Sequence, residues 1–175
     1  MIRFLAAIAC LALGLLPTIQ AADPKPKAES AEELLESALK KAKADKKAVF
    51  ISFGAPMVSW CEHLDKFHER AAVKKILDKH LVFVKVDVAE TSGGPELYKK
   101  YSPDDAGVPM WVILSSEGKV LADSFDENKM NVGFPYEPDE VKYYKKAIKI
   151  AIPKLTDKEV DTLIDELKDE GPKKE

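Results

Sequence analysis

The sequence predicts an α/β domain: a mixed central sheet packed between helices, with further helices at both ends. Three observations carry this. Short apolar runs rich in strand formers alternate with segments of helical apolar spacing. The strand runs are almost continuously apolar, as in a sheet covered on both faces. The last two runs lie three to four residues apart, which makes an antiparallel hairpin.

The elements follow in order. Ser30-Ala31-Glu32-Glu33 reads as a capping box, and Leu34, Leu35, Ala38, Leu39 and Ala42 continue at helical spacing to about Lys43. Ala48 to Phe53 is an apolar strand closed by Gly54-Ala55-Pro56. Val73, Ile76, Leu77 and His80 fall at i, i+3, i+4 and i+7, a helix. Leu81 to Val88 is the second strand, and a short helix covers Glu96 to Tyr101. Val108 to Leu114 and Lys119 to Ala122 are the hairpin strands around Ser115-Ser116-Glu117-Gly118. Val141, Tyr144, Ile148, Ala151 and Ile152 line a helix that Pro153 stops. Thr156 to Glu159 is another capping box before Val160, Leu163, Ile164 and Leu167. The order is α-β-α-β-α-β-β-α-α, in which the first two strands form a parallel βαβ unit with a right-handed crossover.

The N-terminus has the three-part layout of a secretory signal peptide. A positive start at Arg3 leads into an uncharged apolar run from Phe4 to Leu16, then Pro17 and small residues to Ala22. That run is thirteen residues, against about 20 for a spanning helix, so cleavage is expected rather than a retained anchor. Cys10 lies inside the run and leaves with it. The expected organisation is a signal peptide at 1–21, a disordered linker at 22–29, the main domain at 30–152, a C-terminal helical extension at 153–170 and a tail at 171–175. The product is exported, periplasmic or secreted, with no membrane attachment after cleavage. Without Arg3 the chain keeps 26 Lys and Arg against 30 Asp and Glu, a net charge of about −4. No basic face dominates, so nucleic acid is not an expected partner. Cys61 is then the single cysteine; no internal disulfide can form, and the odd thiol stands out.

The chemistry gathers where the first strand runs through Gly54 to Ser59 into Trp60-Cys61-Glu62-His63-Leu64. Ser59 and Glu62 have capping-box spacing. With Ser59 as N-cap, Cys61 takes the second helical position, near free backbone N–H groups and the positive end of the helix dipole. Both favour the thiolate, while Glu62 opposes it. Cys-x-His at 61 and 63, with His68 nearby but no matching second pair, is a poor zinc signature; no metal and no cofactor are expected. His80 reads as a helix-end histidine. Trp60 and Trp111 read as packing residues, Trp60 also as a shield for the thiol. Phe134-Pro135-Tyr136 and Tyr143-Tyr144 either form a recognition surface or cover the core.

A strand, then Trp60-Cys61 at a helix start, then Gly107-Val108-Pro109 before a later strand, resembles the thioredoxin family. The likeness runs over about residues 46 to 152, strongest to exported bacterial thioredoxin-domain proteins with extra C-terminal helices. It implies a three-layer α/β/α sandwich, a cis-proline at Pro109 facing Cys61, and supporting places for Trp60, Leu64 and Val108. The sequence departs from the family in four ways. Leu64 holds the second cysteine's position. Four residues, Pro56 to Ser59, separate Ala55 from Trp60 where the family usually has one. Ser52 replaces the buried acid, and Met110 follows the proline where Thr is common.

Dithiol exchange needs a second thiolate to release the mixed disulfide. With Cys61 alone, release requires an external thiol. Two functions follow. One is a monothiol thiol-disulfide oxidoreductase acting on protein or small-molecule thiols and disulfides. The other is a redox-inactive, chaperone-like module whose groove beside Pro109 holds an extended peptide segment.

Overall fold

The computed structural model describes residues 28–103 and 106–172; the expected signal peptide and most of the linker lie outside them. Ten elements follow in the order α1 (Ala31–Asp45), β1 (Ala48–Gly54), α2 (Ser59–Glu69), α3 (Ala71–Leu77), β2 (Leu81–Asp87), α4 (Gly94–Tyr101), β3 (Met110–Leu114), β4 (Val120–Asp123), α5 (Pro138–Ala151) and α6 (Asp157–Glu170). The fold is thioredoxin-like: a mixed four-stranded sheet with helices on both sides. The strand order is β2-β1-β3-β4. β1 pairs in parallel with β2 and antiparallel with β3, and β3 with β4 is the expected hairpin.

The alternation of side chains along β1 and β3 divides the core. Val49, Ile51 and Phe53 with Val112 and Leu114 face α1 and α4. Phe50 with Trp111 and Ile113 face the layer made by α2, α3, α5 and α6. Only β1 and β3 are buried on both faces. β2 and β4 are edges, with Phe83, Val120 and Leu121 partly exposed, so the expectation of a sheet covered throughout holds for its centre alone. Edge strands lack a neighbour on one side, which apolar composition does not reveal.

Two capping boxes form as their spacing predicts. Ser30 pairs with Glu33 and Thr156 with Glu159, each accepting from the N3 backbone while the acid reaches back. α6 is built into the core: Val160, Leu163, Ile164 and Leu167 pack with Phe67, Val73 and Leu77. At its far end, Glu166 and Glu170 hold Arg70 at the α2–α3 junction. His80, expected to end a helix, sits in the turn after α3. The Val108–Pro109 peptide is cis.

Candidate functional site

β1 ends at Gly54, and the chain reverses through a turn at Pro56 and Met57. Met57 takes a left-handed φ of 64° with its side chain 95% exposed. The three residues beyond the family's usual one are absorbed in this turn, and the helix still starts beside the strand end. Val58, not Ser59, is the N-cap, extended at φ −91° and ψ 108°, with no side-chain cap bond. Its carbonyl accepts from Cys61 N at 2.9 Å and Glu62 N at 3.2 Å. It therefore fills the half-helical position, and Ser59 is carried into the first turn. Cys61 is the third helical residue rather than the second.

Cys61 is 7% exposed. It lies over the strand end, where a Cβ added at Gly54 would come within 3.4 Å of its Sγ. Burial pushes the thiol above its ordinary range. The Ala55 backbone N–H bonded to the sulfur pulls the other way, then Asp65 raises, Lys85 lowers and Asp87 raises. The acids that matter are thus Asp65 and Asp87 rather than Glu62, which points to solvent beside Lys66. Asp65 and Lys85 form an ion pair. Ser52, at the family's acid position, is buried on the same strand face as Phe50. Leu64 is 1% exposed and belongs to the core.

Trp60 turns away from the core. It is 40% exposed, its ring stacked at 6.1 Å on Phe134, with Tyr136 at 5.8 Å and His63 at 5.6 Å. His63 Nδ1 lies 3.4 Å from Glu170 of α6. Phe134 is buried and Tyr136 half-buried, so this segment both covers the core and presents a surface; Tyr144 is wholly core. Trp111 packs fully buried and donates from Nε1 to Gly133 O at 2.8 Å.

Trp60, Val108, Pro109, Phe134, Tyr136 and Asn131 are among the walls of a groove of about 510 Å³, within the usual 300–1,000 Å³ of ligand sites. Cys61 is not one of its lining residues. Asn131 holds the groove's backbone. Its Nδ2 donates to the carbonyls of Ala106, Gly107 and Pro109 at 3.2, 3.2 and 3.0 Å. Its Oδ1 accepts from Ser124 Oγ at 2.7 Å and Gly133 N at 3.1 Å. Among the described residues, neither the N–H nor the C=O of Val108 is used. Asn131 escaped the sequence reading because the three carbonyls it holds lie 22 to 25 residues away; the local signal is its place two residues before Gly133. His68 packs among Phe50, Phe67 and Phe83, with a buried, partnerless Nε2. Burial lowers its pKa to about 3. Among the described residues no group of three or more His, Cys, Asp or Glu could hold a metal.

Comparison with known proteins agrees with this architecture. Residues 30–116 match a family model described as thioredoxin-like. A disulphide isomerase from Xylella fastidiosa Temecula1 superposes with a TM-score of 0.52 at 23% identity, over 85% of this chain and 98% of that one. A thioredoxin from Thermus thermophilus gives 0.48 at 19% identity, over 67% and 83%. An uncharacterised Caenorhabditis elegans protein is 32% identical over 108 residues; the match takes in 57% of this chain and spans only 15% of the worm protein.

Proposed function

Since this chain belongs to the thioredoxin-like family through residues 30–116, we propose that it is an exported monothiol protein that captures disulfides of a partner, or of a small thiol, through Cys61. The groove beside Pro109 receives an extended segment of that partner. The observation carrying this reading is the one thiol among the described residues, at the start of α2 and one residue from Trp60 in the groove wall. The unused N–H and C=O of Val108 offer the backbone pairing that an added strand takes up. In the step, the Cys61 thiolate attacks one sulfur of a disulfide. A new S–S bond forms to Cys61, the original S–S bond breaks, and the departing thiolate takes up a proton. Cys61 is oxidised and the departing sulfur reduced. With Leu64 in place of a second cysteine, an external thiol must end the complex. A raised thiol pKa makes attack slow at neutral pH and makes Cys61 a poor leaving group. Capture outlasts turnover.

The burial of Cys61 favours a second reading, in which the groove holds the segment without covalent chemistry. Oxidised glutathione separates the two. Mixed-disulfide formation, followed by mass at a series of pH values, should yield one adduct per native chain. It should be lost in Cys61→Ser, and its rate should still climb above pH ~8.5, the ordinary cysteine pKa. A rate that levels off below that pH, or catalytic reduction of added disulfides by the parent, would overturn capture. A native thiol that stays unmodified while the unfolded chain reacts would establish the non-covalent reading.

A further inference from the structure

β2 is an open edge of the sheet, and its sequence is matched to a second copy of itself. The Ala48 N–H donates to the His80 carbonyl and the Val88 N–H to the Gly54 carbonyl, both at 2.9 Å. Backbone groups alternate sides along a strand. Val82, Val84 and Val86 therefore turn theirs to β1, and Leu81, Phe83, Lys85 and Asp87 turn theirs outward. Two of these four are closed. Leu81 is 3% exposed. Asp87 is taken by Thr91, whose Oγ1 accepts from the Asp87 N–H and whose own N–H donates to the Asp87 carbonyl. Phe83 and Lys85 are exposed, and among the described residues nothing bonds to their outward N–H and C=O. The opposite edge is less regular. β4 has four residues and meets β3 through a register shift, whereas the seven residues of β2 lie on β1 without one. Irregular edges resist pairing; a straight one is a template.

We propose that two copies of this chain associate through β2, antiparallel and two-fold symmetric about Val84, joining two four-stranded sheets into one. This register sets Phe83 opposite Lys85 of the second copy, and Lys85 opposite its Phe83. It pairs every free N–H and C=O on the two strands. A shift of two residues one way sets Lys85 against the buried Leu81. The other way it sets Lys85 against Lys85, and Phe83 against an Asp87 whose groups are taken. The opposed side chains are complementary. Directly facing cross-strand Cβ atoms lie about 5 Å apart, which lets a Lys ammonium reach the face of an aromatic ring. The Phe83 ring is held against His68 at 5.0 Å and Phe50 at 5.4 Å. A Lys within an edge strand ordinarily guards against pairing. Lys85, however, is already paired with Asp65 of its own chain, and in this register it meets a ring rather than a second ammonium. On the other face Val82 meets Val86, and Val84 meets its own copy. This association is independent of the groove and of Cys61.

Sedimentation velocity tests this on the whole protein, in reductant so that no Cys61-linked dimer contributes. Monomer should give way to dimer between about 1 µM and about 1 mM, the range of a weak interface. Phe83→Lys sets like charges opposite each other at both cross-strand pairs and should raise the dimer dissociation constant roughly tenfold. That side chain is at the surface, 37% exposed, so the fold should stand. Cross-linking in a Cys61→Ser background reads the register. Positions 83 and 85 of opposite copies form a hydrogen-bonded pair with Cα atoms about 5.5 Å apart, a separation that a disulfide spans. Phe83→Cys chains mixed with Lys85→Cys chains should therefore cross-link on mild oxidation much faster than either variant links to itself. Monomer at every concentration overturns the proposal and leaves β2 guarded by Lys85 or open only to a strand of another protein. An unchanged dissociation constant in Phe83→Lys overturns it by placing the interface elsewhere. Self-linking of Phe83→Cys as fast as its linking to Lys85→Cys overturns the register.

Discussion

Acidification should destabilise this fold through one side chain, His68. Its ring lies 4.8 Å from Phe50, 5.0 Å from Phe83 and 5.3 Å from Phe67. Its Nε2 is buried without a hydrogen-bond partner. The folded pKa is about 3, against 6.5 for a free imidazole. Between those values the unfolded chain binds a proton that the folded chain refuses, so stability is complete above pH 6.5 and falls as pH drops toward 3. Each pH unit in the window is about 1.4 kcal/mol. The loss is therefore about 2 kcal/mol at pH 5 and about 3 at pH 4, a large part of the 5–15 kcal/mol typical of a domain. Urea unfolding at pH 7 and pH 5 measures it, with His68→Phe as the control. The substitution keeps an aromatic ring among three others and removes the orphaned nitrogen, so it should hold its stability at pH 7. The pH-dependent loss should shrink by about 2 kcal/mol in the variant, since every contribution other than that of His68 is common to both chains. An equal loss in parent and variant would refute the assignment.

Leu64→Cys places a second thiol three residues after Cys61 on the same helix turn, about 5–6 Å apart at Cβ. An internal disulfide should form on mild oxidation, detected as a loss of two mass units, at a cost of about 2–4 kcal/mol for truncating a side chain only 1% exposed; two free thiols in the folded, oxidised variant would count against the shared face. Asn131→Ala removes one amide that serves three carbonyls and two donors. It should destabilise the fold by about 1–3 kcal/mol and weaken the groove's hold on an extended peptide, and unchanged peptide affinity would show that Asn131 does not shape the groove.

What could be read from the sequence was local, or came from likeness to a known family. The helices at 31–45 and 157–170 announced themselves because a capping box involves residues three apart. The same rule failed at Ser59. There the turn at Pro56 and Met57 delivers Val58 in an extended conformation, and the cap position is filled before Ser59 is reached. Trp60-Cys61 and Gly107-Val108-Pro109 pointed to the fold. They carried no information on the burial of Cys61, which depends on Gly54 and the layer of α2 packed over β1. The field at the sulfur was equally hidden: Glu62 is its chain neighbour, yet Asp65, Lys85 and Asp87 set the balance, one from the next helical turn and two from another strand. Asn131 and the rest of the groove's lining come from segments brought together only by folding.

The docking of α6 changes what counts as the smallest unit able to fold. The family model's match stops at residue 116, and the run of Pro153, Lys154 and Leu155 looks like a natural place to divide the chain. Cutting there would strip Val160, Leu163, Ile164 and Leu167 from the faces of α2 and α3 and leave Arg70 without its two glutamates. The helix bearing Cys61 would then face water along the side it now shares with the chain's last helix. α6 is thus a buttress of the Cys61 helix, and a shortened gene product would lose the rigidity of that helix before it lost its sheet.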